Sequence, residues 1–130
     1  MTLVVDEVAR SREFYVDGLG WTPEFDGGDG VLMFRVGDRL LLSLWSRARA
    51  REEIGEVGTG VDAPVTLAHN LATRDEVDAV LALAAKAGAT HVSPARSRDW
   101  GGYSGYFADT DGFRWEIAVS PTPLGDSLLP

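Results

Sequence analysis

The sequence predicts an α+β fold in which two βαβββ modules form a curved mixed sheet around a cleft. Three observations carry that prediction. Two stretches of helical periodicity each stop at a glycine, each follows an apolar strand-like run, and each precedes three short strand-like runs. The order repeats after about 60 residues, so the chain reads as module one over 1–45, a linker over 46–62, module two over 63–120 and a tail over 121–130.

Module one opens with the run "TLVV" and a helical pattern from Val8 to Leu19, closed by Gly20. Glycine takes the left-handed conformation that ends many helices. Strands are expected over Trp21–Phe25, Val31–Val36 and Leu40–Trp45, separated by the turn signals "DGGDG" and "GD". Ser46 to Asp62 is charged and glycine-bearing and reads as linker. Module two opens with "VTLAHNL", followed by a helix from Arg74 to Ala87 that ends at Gly88. Thr73 with Glu76 three residues on forms a capping box, and Val77, Val80, Leu81, Ala84 and Ala87 make the apolar face. Strands follow over Thr90–Ser93, Tyr103–Ala108 and Phe113–Val119. The tail "SPTPLGDSLLP" is proline-rich and is expected to be loose or draped over the surface.

Alternation along each strand assigns faces. Phe113, Trp115, Ile117 and Val119 should pack on the helices, with Arg114, Glu116 and Ala118 opposite. By the same parity Leu32, Phe34, Val36, Leu40, Leu42 and Leu44 face inward. Met33, Arg35, Ser43 and Trp45 then lie on the concave side. The turn "DTDG", Asp109 to Gly112, fits a type I turn with its glycine left-handed. That register sets Tyr106 opposite Glu116 and Phe107 opposite Trp115, and brings Ser104 to the Glu116 face. A slip of one residue would substitute Tyr103, Gly105 and Phe107.

Composition excludes several function classes. With 12 Lys and Arg against 20 Asp and Glu, the net charge is −8, and the basic residues are scattered, which disfavours nucleic acid. There are no cysteines for disulfides or thiolate chemistry. No apolar run approaches the roughly 20 residues of a membrane span. The opening "MTLVVDEVARSREFY" lacks a signal-peptide layout, so a cytoplasmic location is expected.

The stretches "ARSREFYVDGLGW" (Ala9 to Trp21) and "GYFADTDGFRWEIA" (Gly105 to Ala118) resemble the vicinal oxygen chelate superfamily of glyoxalases, bleomycin-resistance proteins and extradiol dioxygenases. The first is similar to the family's helix ending in Leu–Gly. The second is similar to its closing hairpin, with Thr110 where the family usually has proline. The resemblance covers nearly the whole chain and implies the glyoxalase/bleomycin-resistance fold and a homodimer. Metal-dependent members take ligands from the first strand of each half and from last strands. Glu116 matches a last-strand ligand. Ser43 stands near the equivalent position of the first half, and the first-strand position there falls on or just before Met1. In the second half, counting back from Gly88 puts His69 on the ligand position. Counting along the strand puts Thr66 there and turns His69 toward the helices, and the capping box at Thr73 favours that count.

A divalent site needs three or more protein ligands. The sequence therefore points to no metal and no other cofactor. The expected function is binding of a small organic molecule in an aromatic cleft, with Glu116 as ligand contact or general base. Met33, Arg35, Ser43, Trp45, Asn70, Trp100, Ser104, Tyr106 and Arg114 would line it, and Tyr103 could add a ring to the stacking surface. Trp100 to Gly102 would form a mobile or closely approached loop at its mouth. The bland reading of Glu116 is an ion pair with Arg114 or Arg35. The alternative function is a metal-dependent lyase, isomerase or dioxygenase using His69 and Glu116. His91, with no acid near it in sequence, reads as a surface or capping residue.

Overall fold

The structure is a computed structural model and describes residues 1–129; the last residue of the predicted tail, Pro130, lies outside the described residues. Module one contains β1 (Thr2–Val5), α1 (Val8–Arg12) running on as a π-helical segment (Glu13–Gly18), β2 (Phe25–Asp26), β3 (Val31–Gly37) and β4 (Leu40–Ser46). Next comes α2 (Arg47–Ile54). Module two contains β5 (Thr66–Asn70), α3 (Arg74–Ala87), β6 (His91–Ser97), β7 (Tyr103–Ala108) and β8 (Arg114–Val119), with a short α4 (Pro123–Asp126) in the tail.

The strands form two four-stranded mixed sheets, ordered β1-β4-β3-β2 (sheet one) and β5-β8-β7-β6 (sheet two). In each, the first strand of the module runs parallel to the last, as two βαβββ units require. The curved mixed sheet expected of the two modules is built as two four-stranded sheets, one from each module. Their inner faces close on one core: Leu3, Val5, Leu32, Phe34, Leu42 and Leu44 from sheet one meet Leu67, Phe107, Trp115 and Ile117 from sheet two. Phe14 and Tyr15 of the π-helical segment and Val77, Leu81 and Ala84 of α3 fill the space between them. The two outer faces consequently point away from each other.

Local chemistry accounts for the elements. At the start of α3, Thr73 Oγ1 accepts from the Glu76 amide at 3.2 Å and Glu76 returns a carboxylate to the Thr73 amide at 2.8 Å, the predicted capping box. The helix ends on Gly88 at φ 96°. The first helix widens into a π-helical turn, seen in the bond from the Leu19 amide to the Phe14 carbonyl. That turn directs the adjacent Phe14 and Tyr15 both inward, each at most 1% exposed. The ends of the two helices meet at Gly18, where an added Cβ would lie 2.3 Å from the Cβ of Ala87, so only glycine allows this approach.

Four expectations need correction. The Trp21–Phe25 strand shrinks to Phe25–Asp26, because the Trp21 amide bonds the Tyr15 carbonyl and its ring packs at 5.3–5.4 Å from Phe34 and Trp115. Val36 and Leu40 are exposed (41% and 45%) because the ladder shifts register between Arg35 and Gly37. The linker contains α2, capped by Ser46, whose Oγ accepts from the Arg49 amide at 3.3 Å. Its sequence "RARAREEI" buries only Ala50, so the apolar periodicity that announces a helix is absent. Finally, β6 extends to Ser97 across an irregularity between Ser93 and Arg96, where Pro94 has no amide to give the ladder.

Candidate functional site

The predicted hairpin register is present: Tyr106 pairs with Glu116 and Phe107 with Trp115. The turn that sets it is held by Asp109, whose Oδ1 accepts from the amides of Asp111 and Phe113, both at 2.9 Å. Gly112 takes φ 86°. With the register fixed, the outer face of sheet two is a lattice of three rows across β5, β8, β7 and β6. The first row is Thr66, Arg114, Ala108 and His91; the second is Ala68, Glu116, Tyr106 and Ser93; the third is Asn70, Ala118, Ser104 and Arg96.

Glu116 sits near the middle of this lattice and is half-buried. Its Oε1 accepts from the Tyr106 hydroxyl at 2.8 Å. That bond to a carboxylate, with burial second, holds the Tyr106 phenol above its ordinary pKa. Among the described residues neither candidate ion-pair partner reaches Glu116. Arg35 instead grips Glu24 at 2.8 and 3.2 Å, and Arg114 has no carboxylate within ion-pair distance. Arg98 reaches across from the end of β6: its Nε donates to Ser104 Oγ at 3.0 Å, its Nη2 to the Ser104 carbonyl at 2.8 Å, and its guanidinium lies 5.4 Å from the Tyr106 ring centre. This cover explains why Ser104 is fully buried although it faces outward.

Beside this group lies a cleft of about 500 Å³ lined by Tyr106, Ala108, Arg114, His91, Ser93 and Thr90, with Val61 and Gly112 at one end. Alanines at 68, 108 and 118 keep the sheet floor low around Glu116. His91, expected at the surface, is exposed there and also lines this cleft, where its Nε2 lies 2.9 Å from Ser93 Oγ. No local motif marks it. Only the pairing His91–Ala108–Arg114, set by folding, could have shown it.

The remaining predicted site residues divide. Ser104, Tyr106, Arg114 and Asn70 share the outer face of sheet two with Glu116. Met33, Ser43 and Trp45 lie on the outer face of sheet one, Met33 opposite Ser43 and Trp45 opposite Val31. Arg35 is also on that sheet. These four therefore do not meet Glu116 within one chain. Trp100 is 52% exposed and folds over its own turn, its ring occupying the space a Cβ on Gly102 would need. Tyr103 faces α3, donating to Asp78 at 2.9 Å, so the expected aromatic surface is not assembled in one chain.

The strand count for His69 is correct. His69 is in register with Ile117 on the core side of sheet two, near Trp21 (6.3 Å between ring centres), Val80 and Leu83. Burial lowers its pKa below 6.5. It stands on the opposite face of the sheet from Glu116, so the two cannot hold one ion together. The first-strand residues beside Glu116 are Thr66 and Ala68, poor or impossible ligands, and among the described residues no three His, Asp or Glu side chains converge. The donor set in one chain does not fit the divalent ion that metal-dependent members of the resembled family carry.

A family model described as "Glyoxalase/Bleomycin resistance protein/Dioxygenase superfamily" matches residues 1–117. Among solved structures, a glyoxalase-related enzyme from Fulvimarina pelagi is 31% identical and superposes with a TM-score of 0.84, covering 93% of this chain and 86% of its own. A glyoxalase/bleomycin resistance protein/dioxygenase from Nocardioides is 25% identical, with a TM-score of 0.72 and coverage of 92% and 80%. A lactoylglutathione lyase from Agrobacterium tumefaciens, at 21% identity, TM-score 0.70 and coverage of 92% and 90%, shares the fold. No curated protein matches the chain.

Proposed function

The chain belongs to the Glyoxalase/Bleomycin resistance protein/Dioxygenase superfamily, and from that premise we propose that it binds a small organic molecule on the outer face of sheet two, without a metal ion. One observation carries this reading: a half-buried carboxylate, Glu116, hydrogen-bonded to Tyr106 and free of any ion pair among the described residues, stands on an alanine-floored face beside a cleft. A carboxylate is an acceptor only. With Oε1 engaged by Tyr106, Oε2 is available to a hydroxyl or amine of a ligand, or to a proton drawn from it. Tyr106, fixed by Arg98 over its ring, orients the carboxylate.

The same reading includes a homodimer and a cytoplasmic location. In one chain the outer faces of the two sheets point apart, and β1 and β5 are sheet edges with one neighbour each. Such edges invite pairing with another chain. A second copy could bring the face bearing Met33, Ser43 and Trp45 opposite the Glu116 face and complete the predicted lining. The net charge of −8 argues against nucleic acid, and no helix is long and apolar enough to cross a membrane.

The experiment is a small-molecule screen by thermal shift on the purified wild type and Glu116→Gln, with elemental analysis of both. We expect hits whose affinity falls in Glu116→Gln and no stoichiometric divalent ion. One tightly held ion per chain, needed for binding, would overturn the metal-free reading.

A further inference from the structure

We infer that the ligand of this cleft carries an anionic group, a carboxylate or phosphate, seated between Arg114 and His91. This rests on the cleft being the binding site and names the chemistry of what enters it. In a chain with 20 acidic and 12 basic residues, the outer face of sheet two reverses the balance. Arg114, Arg96 and Arg98 come from that face or reach across it, against the single acid Glu116 in its paired rows. Such a concentration of cations attracts anions despite the protein's overall charge.

The seat itself is built by the first row of the lattice. Arg114 on β8 and His91 on β6 flank Ala108 on β7. Strands lie ~4.8 Å apart, so the two backbones stand roughly 10 Å from each other with only a methyl group between them. That gap suits a planar carboxylate or a tetrahedral phosphate. Among the described residues the Arg114 guanidinium has no ion-pair partner, although both residues line the cleft. A guanidinium offers a fork of donors matched to either anion. His91, tied to Ser93 at 2.9 Å, supplies a second polar contact on the far side.

Glu116 lies two residues along β8 from Arg114 on the same face, ~7 Å away. An anion at Arg114 and a hydrogen-bond donor at Glu116 must therefore be separate groups of one molecule, several bonds apart. A small organic acid bearing a hydroxyl or amine meets both requirements.

The test uses para-hydroxybenzoate, its neutral methyl ester and inorganic phosphate, each titrated into the full-length protein and followed by amide chemical shifts of β7 and β8. Arg114→Gln, His91→Gln and Glu116→Gln are titrated in parallel after their melting curves show intact folding. We expect the acid to shift those amides, to lose about tenfold or more in affinity in Arg114→Gln (~1.4 kcal/mol), and to bind more tightly than the ester. Competition by inorganic phosphate would show that the seat accepts either anion. Acid and ester binding equally, with Glu116→Gln weakening both and Arg114→Gln neither, would overturn the anion seat while leaving the cleft reading intact. If neither acid, ester nor phosphate moves the β7 and β8 amides, both fall.

Discussion

Two hydroxyl–carboxylate pairs occupy opposite sides of sheet two, and they do different work. On the outer side Tyr106 donates to Glu116 where solvent reaches both. On the inner side Tyr15, fully buried, donates to Asp109 at 2.5 Å and accepts from Trp115 Nε1 at 3.0 Å. Burial raises the pKa of Asp109 and raises Tyr15 well above its ordinary value. Asp109→Ala would leave the Tyr15 hydroxyl and two backbone amides without their acceptor, and we expect it to cost about 2–4 kcal/mol in urea unfolding. Glu116→Gln, on the wet side, should leave stability nearly unchanged and return the Tyr106 phenol toward its ordinary titration range, read by ultraviolet absorbance. The outer pair was legible in the sequence because a single turn fixes its register. The inner pair was not, since Tyr15 and Asp109 are 94 residues apart and only tertiary packing joins them. His69 was legible as far as its strand parity, and it adds a pH effect. Its folded pKa is depressed below 6.5 by burial, so the unfolded chain binds a proton first as pH falls. Stability should decline from about pH 6.5 downward until the folded pKa is passed, and His69→Gln should flatten that part of a stability-versus-pH series.

At the scale of elements, legibility followed apolar periodicity. The bounds of α3 are legible in the sequence because five apolar residues mark one face and a capping box marks its start. α2 carries no such mark in the sequence, because it packs through one alanine and otherwise meets solvent. The hairpin β7–β8 was legible through its turn residues, and Gly112 is where that legibility can be tested. Its φ is 86°, and an added Cβ would lie 2.6 Å from Val61 Cγ2 and 2.9 Å from the Val61 amide nitrogen. Gly112→Ala therefore combines backbone strain with a clash against the chain leading into module two. We expect a loss of about 2 kcal/mol or more, seen as a lowered melting temperature. Thr73→Ala, which removes one half of the capping box, should cost about 1 kcal/mol.

The whole molecule is two similar modules sharing one core, with Gly18 packed on Ala87 where their helices meet. That duplication was visible in the chain order, and the fold class followed from it. The placement of site residues on two diverging faces was not, because parity tells which side of a sheet a residue takes but not which way the sheet is turned. Sedimentation of the wild type should report a species of twice the chain mass if the free edges of β1 and β5 pair between copies. Substituting the edge residue Val4 by proline, which adds no donor and breaks an extended ladder, should shift that species toward the single chain.

Opposed outer faces have a genetic corollary. If each binding cup takes one wall from each copy, a chain crippled by Trp45→Ala and a chain crippled by Glu116→Gln fail for different walls. Co-expressed, they would assemble hybrids in which one cup inherits both defects and the other inherits neither. Ligand capacity would then reappear in the mixture although both parents lack it, whereas self-contained sites would show no such rescue.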